Sequence, residues 1–145
     1  MPDSTLHTTS AFVMEMDGVT MMTCKSVSGI ESETEIIEHK EATKNGQLVI
    51  RKTAGAMKWA DIVLSKHVDA SADLWDWRKQ VEDGDLDGAR RNGSIVLYDS
   101  MKQEVARWNF ENGWPSKWKG ADLDAGEDSI ALEEITITHE GLRRA

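Results

Sequence analysis

Asp83-Gly-Asp85-Leu-Asp87-Gly88 opens like an EF-hand calcium loop, with carboxylates at alternate positions and a glycine for the sharp turn. The match then fails. The twelfth position is Ser94 where a bidentate glutamate is needed, Arg90 and Arg91 place cations inside the loop, and a strand pattern follows instead of a helix. An exposed acidic turn is the better reading, and no metal is expected there. Asp122-Leu-Asp124-Ala-Gly-Glu127-Asp128 is a second acidic turn, which would hold a cation only if it met the first in space. His7, His39, His67 and His139 are scattered without metal-ligand spacing, and a single cysteine excludes a thiolate zinc cluster.

No Gly-x-Ser-x-Gly elbow and no phosphate-cradling glycine loop occurs, so nucleophilic or phosphoryl-transfer chemistry has no local cue. Among 26 Asp and Glu a carboxylate pair of glycosidase type carries no information. The expectation is a protein without catalytic residues, cofactor or metal.

Six tryptophans, Trp59, Trp75, Trp77, Trp108, Trp114 and Trp118, stand beside only two phenylalanines and one tyrosine. Such rings serve either as a sugar-stacking platform in a carbohydrate-binding module or as the large amphipathic pieces of a core or subunit interface. The strand and helix settings of Trp108 and of Trp75 and Trp77 favour core and interface.

The 145 residues suit one domain with a single core. With 17 Lys and Arg the formal charge is −9, which argues against a general nucleic-acid binder, since that affinity rests on clustered cations. Arg90–Arg91 and Arg143–Arg144 read as solvated loop and tail residues. Cys24, the lone cysteine, reads as a small buried hydrophobe. No stretch approaches the roughly 20 apolar residues that span a bilayer, so membrane insertion is not expected. Met1-Pro2-Asp3-Ser4-Thr5 lacks a basic n-region and an apolar h-region, which leads to an expectation of synthesis in the cytoplasm.

The elements that would position these residues are mostly strands. Phe12, Met14 and Met16 alternate with Val13 and Glu15, Asp17-Gly18 signals a turn, and Thr20 to Val27 returns, with Gly29 ending it. Glu35 to Lys40 is a weaker strand, Asn45-Gly46 a turn pair, and Leu48 to Lys52 and Met57 to Val68 look extended, with Thr53-Ala54-Gly55-Ala56 as a break between them. One helix is predicted from an N-cap at Ser71 to about Asp83-Gly84, through Leu74, Trp77 or Arg78, and Val81; Trp75 and Trp77 cannot both occupy the centre of its face. Ser94 to Asp99 and Val105 to Phe110 form a hairpin, and Asp128 to His139 closes the chain. There Ile130 and Leu132 fall on one side and Ile135 and Ile137 on the other, so Glu133-Glu134 marks a change of phase readable as a bulge. The sum is a mainly β chain, an antiparallel β-barrel or sandwich with one short α-helix.

In this order the segments resemble a family, the tail-tube proteins of contractile phages and of extracellular contractile injection systems. The resemblance begins with Phe12-Val-Met-Glu-Met-Asp17-Gly18 and Val27-Ser28-Gly29-Ile30-Glu31, and passes through Leu74-Trp75-Asp76-Trp77 and Gly93-Ser-Ile95-Val-Leu97-Tyr-Asp99. Its most specific blocks are Trp108-Asn-Phe110 running into Trp114-Pro115-Ser-Lys117, and the ending His139-Glu140-Gly141-Leu142. It spans about residues 10–143. Ala54-Gly55 stands where the family often has Pro-Gly, and His67-Val68 where it often has Arg-Gly.

The resemblance implies a structural subunit of hexameric rings whose pooled sheets form a continuous β-barrel channel. The rings stack into a tube inside a sheath, with cap and baseplate or spike proteins as partners. Effector proteins or DNA would travel in the lumen, which acidic residues would keep repulsive to a polyanion. The particle would be a phage tail or a released injection machine. Residues 41–57 are the expected excursion for subunit or ring contacts within the single domain 1–145. A tube-initiating or baseplate paralogue of the same fold is one alternative, and the Trp-rich carbohydrate-binding module is another.

Overall fold

A computed structural model of the chain describes residues 11–16, 19–121 and 131–145. In β1 (Ala11–Met16) alternate side chains share a face, so Met14 and Met16 are buried together. β2 (Val19–Cys24) runs antiparallel to it, with Met22 opposite Met14 and Cys24 opposite Phe12. The turn expected at Asp17-Gly18 lies outside the described residues, as do His7, Ile130 and the second acidic turn. After Lys25 alone comes β3 (Ser26–Ser28), then the hairpin β4 (Ser32–Ala42) and β5 (Leu48–Trp59), and β6 (Ile62–His67). Two helices follow, α1 (Asp73–Glu82) and α2 (Leu86–Ala89). The chain ends in β7 (Arg91–Tyr98), β8 (Glu104–Lys119), β9 (Leu132–Thr138) and β10 (Gly141–Arg144).

Eight strands share one antiparallel sheet in the order β2-β1-β7-β8-β9-β6-β3, with β10 also paired to β8. β8 is long enough to serve two neighbours, β7 along its first part and β9 along Trp114 to Lys119. Side chains from both halves meet in one core. Met14, Met22, Ile95 and Phe110 pack with Ile62, Leu64, Ile135 and Ile137, and Leu74 and Trp77 of α1 join them. The sheet therefore curls around its own apolar face. Its terminal strands β2 and β3 are separated by Lys25, whose N–H donates to the Ser65 carbonyl at 2.6 Å. Among the described residues no ladder joins β2 to β3, so the expected barrel is not closed by strand pairing within one chain.

Three sequence expectations need correction. The described residues hold two helices, not one: α2 is a four-residue turn held by the Asp85 carboxylate, which accepts the Gly88 N–H at 3.0 Å, and so short a segment shows no periodicity. Thr53 to Ala56 is not a break. The register passes from Thr34 opposite Met57 to Ile36 opposite Ala54, so β5 carries one extra residue here, and small side chains accommodate the bulge. The interruption falls instead at Ala60-Asp61.

Third, β9 has no bulge at Glu133-Glu134, because its ladder with β6 runs unshifted from Leu132 to Ile137. Glu133 simply takes an inward position in phase with Ile135 and Ile137, and Leu132 is exposed. An acid can face inward here because Lys66, also buried, places Nζ 3.1 Å from Glu133 Oε1, and Trp118 Nε1 donates to Oε2 at 3.3 Å. The helix margin follows the sequence reading. Trp77 is buried and donates its Nε1–H to the Ala89 carbonyl at 2.8 Å, whereas Trp75 stays half exposed. The cap expected at Ser71 falls one residue later, on Ala72, which has no side chain to cap with; the Ser71 hydroxyl stands 3.4 Å from the Asp73 nitrogen.

Candidate assembly surface

β4 and β5 pair only with each other and project from the body as an arm. A two-stranded hairpin is marginal in water by itself, and this one is bare on both faces and both edges. Ile36, Ile37, Leu48, Val49, Ile50 and Met57 are exposed, Leu48 to 65% and Ile36 to 64%. Pairing puts Ile36, Ile50 and Leu48 on one face, with Ile37 and Val49 on the other. Apolar side chains on two faces of a free ribbon are the mark of a surface completed by another chain.

Charge is sorted between the two strands. β4 carries Glu33, Glu35, Glu38 and Glu41 against Lys40, while β5 carries Arg51, Lys52 and Lys58 and no acid. Glu38 lies opposite Lys52 and Glu33 opposite Lys58, and Arg51 Nε is 2.9 Å from Glu41 Oε2. These cross-strand pairs hold the ribbon's register. They also leave an acidic outer edge along β4 and a basic one along β5. A second copy could answer either edge in kind.

The residues singled out in the sequence lie mainly in and beside the core. Phe110 is buried, and Trp108 and Leu142 pack against the cluster from β8 and β10. Gly93 and Gly113 flank the Phe110 ring, and a Cβ on Gly93 would come within 2.5 Å of it. Trp114 and Pro115 stand opposite Thr138 and Ile137; Pro115, buried beside a register shift, gives its carbonyl to Arg78 Nη1 at 3.0 Å. Lys117 points outward opposite Thr136. His139 Nε2 is 3.0 Å from the Ala60 carbonyl. Glu140 accepts from Arg90 at 3.1 Å and Asn112 at 2.8 Å, and Gly141 pairs with Glu111. None of these residues reaches the arm. The excursion expected at residues 41–57 holds Leu48, Val49, Ile50 and Met57 but leaves out Ile36 and Ile37 of β4, because a strand without a buried face shows no alternation.

No row of stacking rings emerges. Trp75 and Trp118 meet edge to face, 4.8 Å apart at 78°, which buries faces that a sugar platform would present. Asp85 is occupied by Gln80 Nε2 and the Gly88 N–H, which hold its carboxyl below the usual range. Among the described residues no three His, Cys, Asp or Glu side chains gather as a metal site. No described helix is long and apolar enough to cross a membrane.

A concavity of about 570 Å³ is lined by Phe12, Cys24, Lys66, His67 and Asp69. Its thiol is not a nucleophile, because burial pushes Cys24 up to about 12, outweighing the Met14 backbone hydrogen bond and the nearby Lys66 charge. Native protein at pH 8 should therefore leave Cys24 unreacted with a chromogenic disulfide reagent, and urea should release one thiol. Rapid labelling without denaturant would contradict its burial.

The backbone arrangement is shared with solved assemblies. It matches a chain of the extended sheath–tube complex of an extracellular contractile injection system, PVC, at TM-score 0.81 and 21% identity over 99% of this chain and 93% of that one. A chain of the tube-terminating cap of the anti-feeding prophage matches at 0.80 and 20%, covering 100% and 94%. Hcp1 from Flavobacterium johnsoniae shares the fold more distantly, at 0.56 and 13%, covering 93% and 94%. No curated protein matches the sequence. The fold is thus one found in tube-forming particles. The family model described as T4-like virus tail tube protein gp19 matches residues 8–143, and the chain belongs to that family.

Proposed function

We propose that this chain is the inner-tube subunit of a contractile particle, forming hexameric rings that stack into a hollow tube. The observation that carries the reading is the arm, whose apolar faces and oppositely charged edges lie unpartnered outside a complete core. In a ring the contact is head to tail and closes on itself, while stacking along the axis is open and builds a filament. Pooling the sheets of neighbouring subunits would close the barrel that one chain leaves open at β2 and β3. The role is mechanical, without a covalent step. Sheath contraction drives the tube through a target envelope, and the channel conducts protein effectors or DNA. Sheath, cap and baseplate or spike proteins are its partners, and synthesis and assembly take place in the cytoplasm.

Similarity to a cap chain almost as close as to the sheath–tube chain supports a second reading, a tube-initiating or terminating paralogue. Negative-stain microscopy of the purified protein tests both. Stacked cylinders are expected from a tube subunit, isolated rings from a terminating one. Monomers at every concentration would overturn the proposal.

A further inference from the structure

Among the described residues the arm's strands pair with nothing but each other, and the two roots that join them to the body are pinned. Gly29 leads into β4 at φ +87°, and a Cβ there would overlap the Asp61 carbonyl, so the entering and leaving strands pass in direct backbone contact. On the leaving side, Ala60 and Asp61 are held from the β9–β10 corner. The Thr138 hydroxyl donates to Asp61 Oδ1 at 3.1 Å and stands 2.9 Å from the Ser116 hydroxyl of β8. His139 Nε2 lies 3.0 Å from the Ala60 carbonyl, and since a carbonyl only accepts, the ring proton sits on Nε2. Among the described residues the other ring nitrogen, the buried Nδ1, has no hydrogen-bond partner, so the ring's polar contact there is the one to the arm's root. A buried polar atom left unsatisfied is costly, and its presence indicates that the Ala60 contact dictates the ring's placement.

We infer that His139 and Thr138, with Gly29 and Asp61, form a clamp that presets the direction of the arm, and that His139 is a positioning residue for assembly. A ribbon anchored at two points and untouched elsewhere would otherwise sample a wide cone, and association would carry the entropy of fixing it. The clamp removes that cost before the subunits meet. This inference rests on the reading of the arm as the assembly contact.

The test uses the full chain carrying spin labels at Lys44→Cys on the arm and Met101→Cys on the body, with buried Cys24 left unlabelled. In dilute, unassembled protein the native clamp should give one narrow distance. His139→Phe, which fills the ring's volume without a donor, and Thr138→Val should broaden it. Both should raise the concentration needed for tubes at least tenfold while circular dichroism stays native. His139→Gln, which keeps a donor at similar reach, should restore both values. An unchanged distance, or a broadened one with tubes forming at the native concentration, overturns the clamp. If His139→Phe does not fold, Thr138→Val and Asp61→Asn decide the matter. Tubes from a chain lacking the arm would instead defeat the assembly reading itself, which keeps the two failures apart.

Discussion

A chain in which residues 34–57 are replaced by a two-residue Asn-Gly turn joining the paired Glu33 and Lys58 should fold normally and form no tubes. The arm's tip contributes nothing to the core, since none of the buried core residues lies between Cys24 and Ile62. Circular dichroism and urea unfolding should match the intact chain within about 0.5 kcal/mol, the range of surface changes. Assembly is another matter. The excision removes Leu48, Val49, Ile50 and Met57 from the exposed surface, and burying such side chains supplies about 1.5–3 kcal/mol each. Repeated at every subunit contact, that loss is larger than a polymer can absorb, and sedimentation should show only unassembled protein. Tubes of native diameter from the shortened chain would refute the arm's role.

The second large effect is expected at Lys66. Its ammonium is buried between Glu133, at 3.1 Å, and the more exposed Asp69, at 3.0 Å. Lys66→Met strands Glu133 as an uncompensated charge beside Ile135 and Ile137, at a cost of roughly 3–5 kcal/mol in unfolding free energy. Adding Glu133→Leu should recover most of the loss, because a buried pair is often replaceable by apolar groups of similar volume. A double variant as unstable as the single one would show that the pair does more than neutralise itself. Burial pulls the Lys66 ammonium down, but the hydrogen bonds it donates to Asp69 and Glu133 outweigh it and hold it above the usual 10.5. A raised folded-state value stabilises fully below pH 10.5 and is lost as pH climbs through that higher value. Asp69 moves the other way: the Lys66 hydrogen bond holds it below 3.8, so its contribution persists above that pH and fades under acid. The native chain should therefore lose stability at strongly alkaline pH, and Lys66→Met should lack that part of the alkaline loss.

Much of the body was legible from its strand patterns. Phe12, Met14 and Met16 in β1 announce period two, while β7, which buries the adjacent Ile95 and Val96, reads as a short apolar run. The helix was legible through Leu74 and Trp77. Where such patterns fail, the reading is partial. In the arm, strands around Ile36 and Leu48 and the Asn45-Gly46 turn were legible, but the bulge at Gly55-Ala56 looks like a break in one dimension. Glu133 imitated a slip in phase because its partner Lys66 lies far away in sequence. α2 is too short to repeat anything. The C-terminal blocks identified the family, yet their residues build the core and pin the arm's root; the surface offered to other chains sits in segments without a comparable signature.

The arm also lies inside a loop that the fold must close, since Ala11 pairs with Tyr98 across everything between. Closure entropy grows only with the logarithm of loop length, about 0.6 kcal/mol per doubling. Inserting or trimming the whole arm thus shifts the closing cost by a few tenths of a kcal/mol. Folding is nearly indifferent to how far the arm extends. Its 11-residue β4 spans about 35 Å at the rise of an extended strand. The chain's own stability sets no limit on that reach.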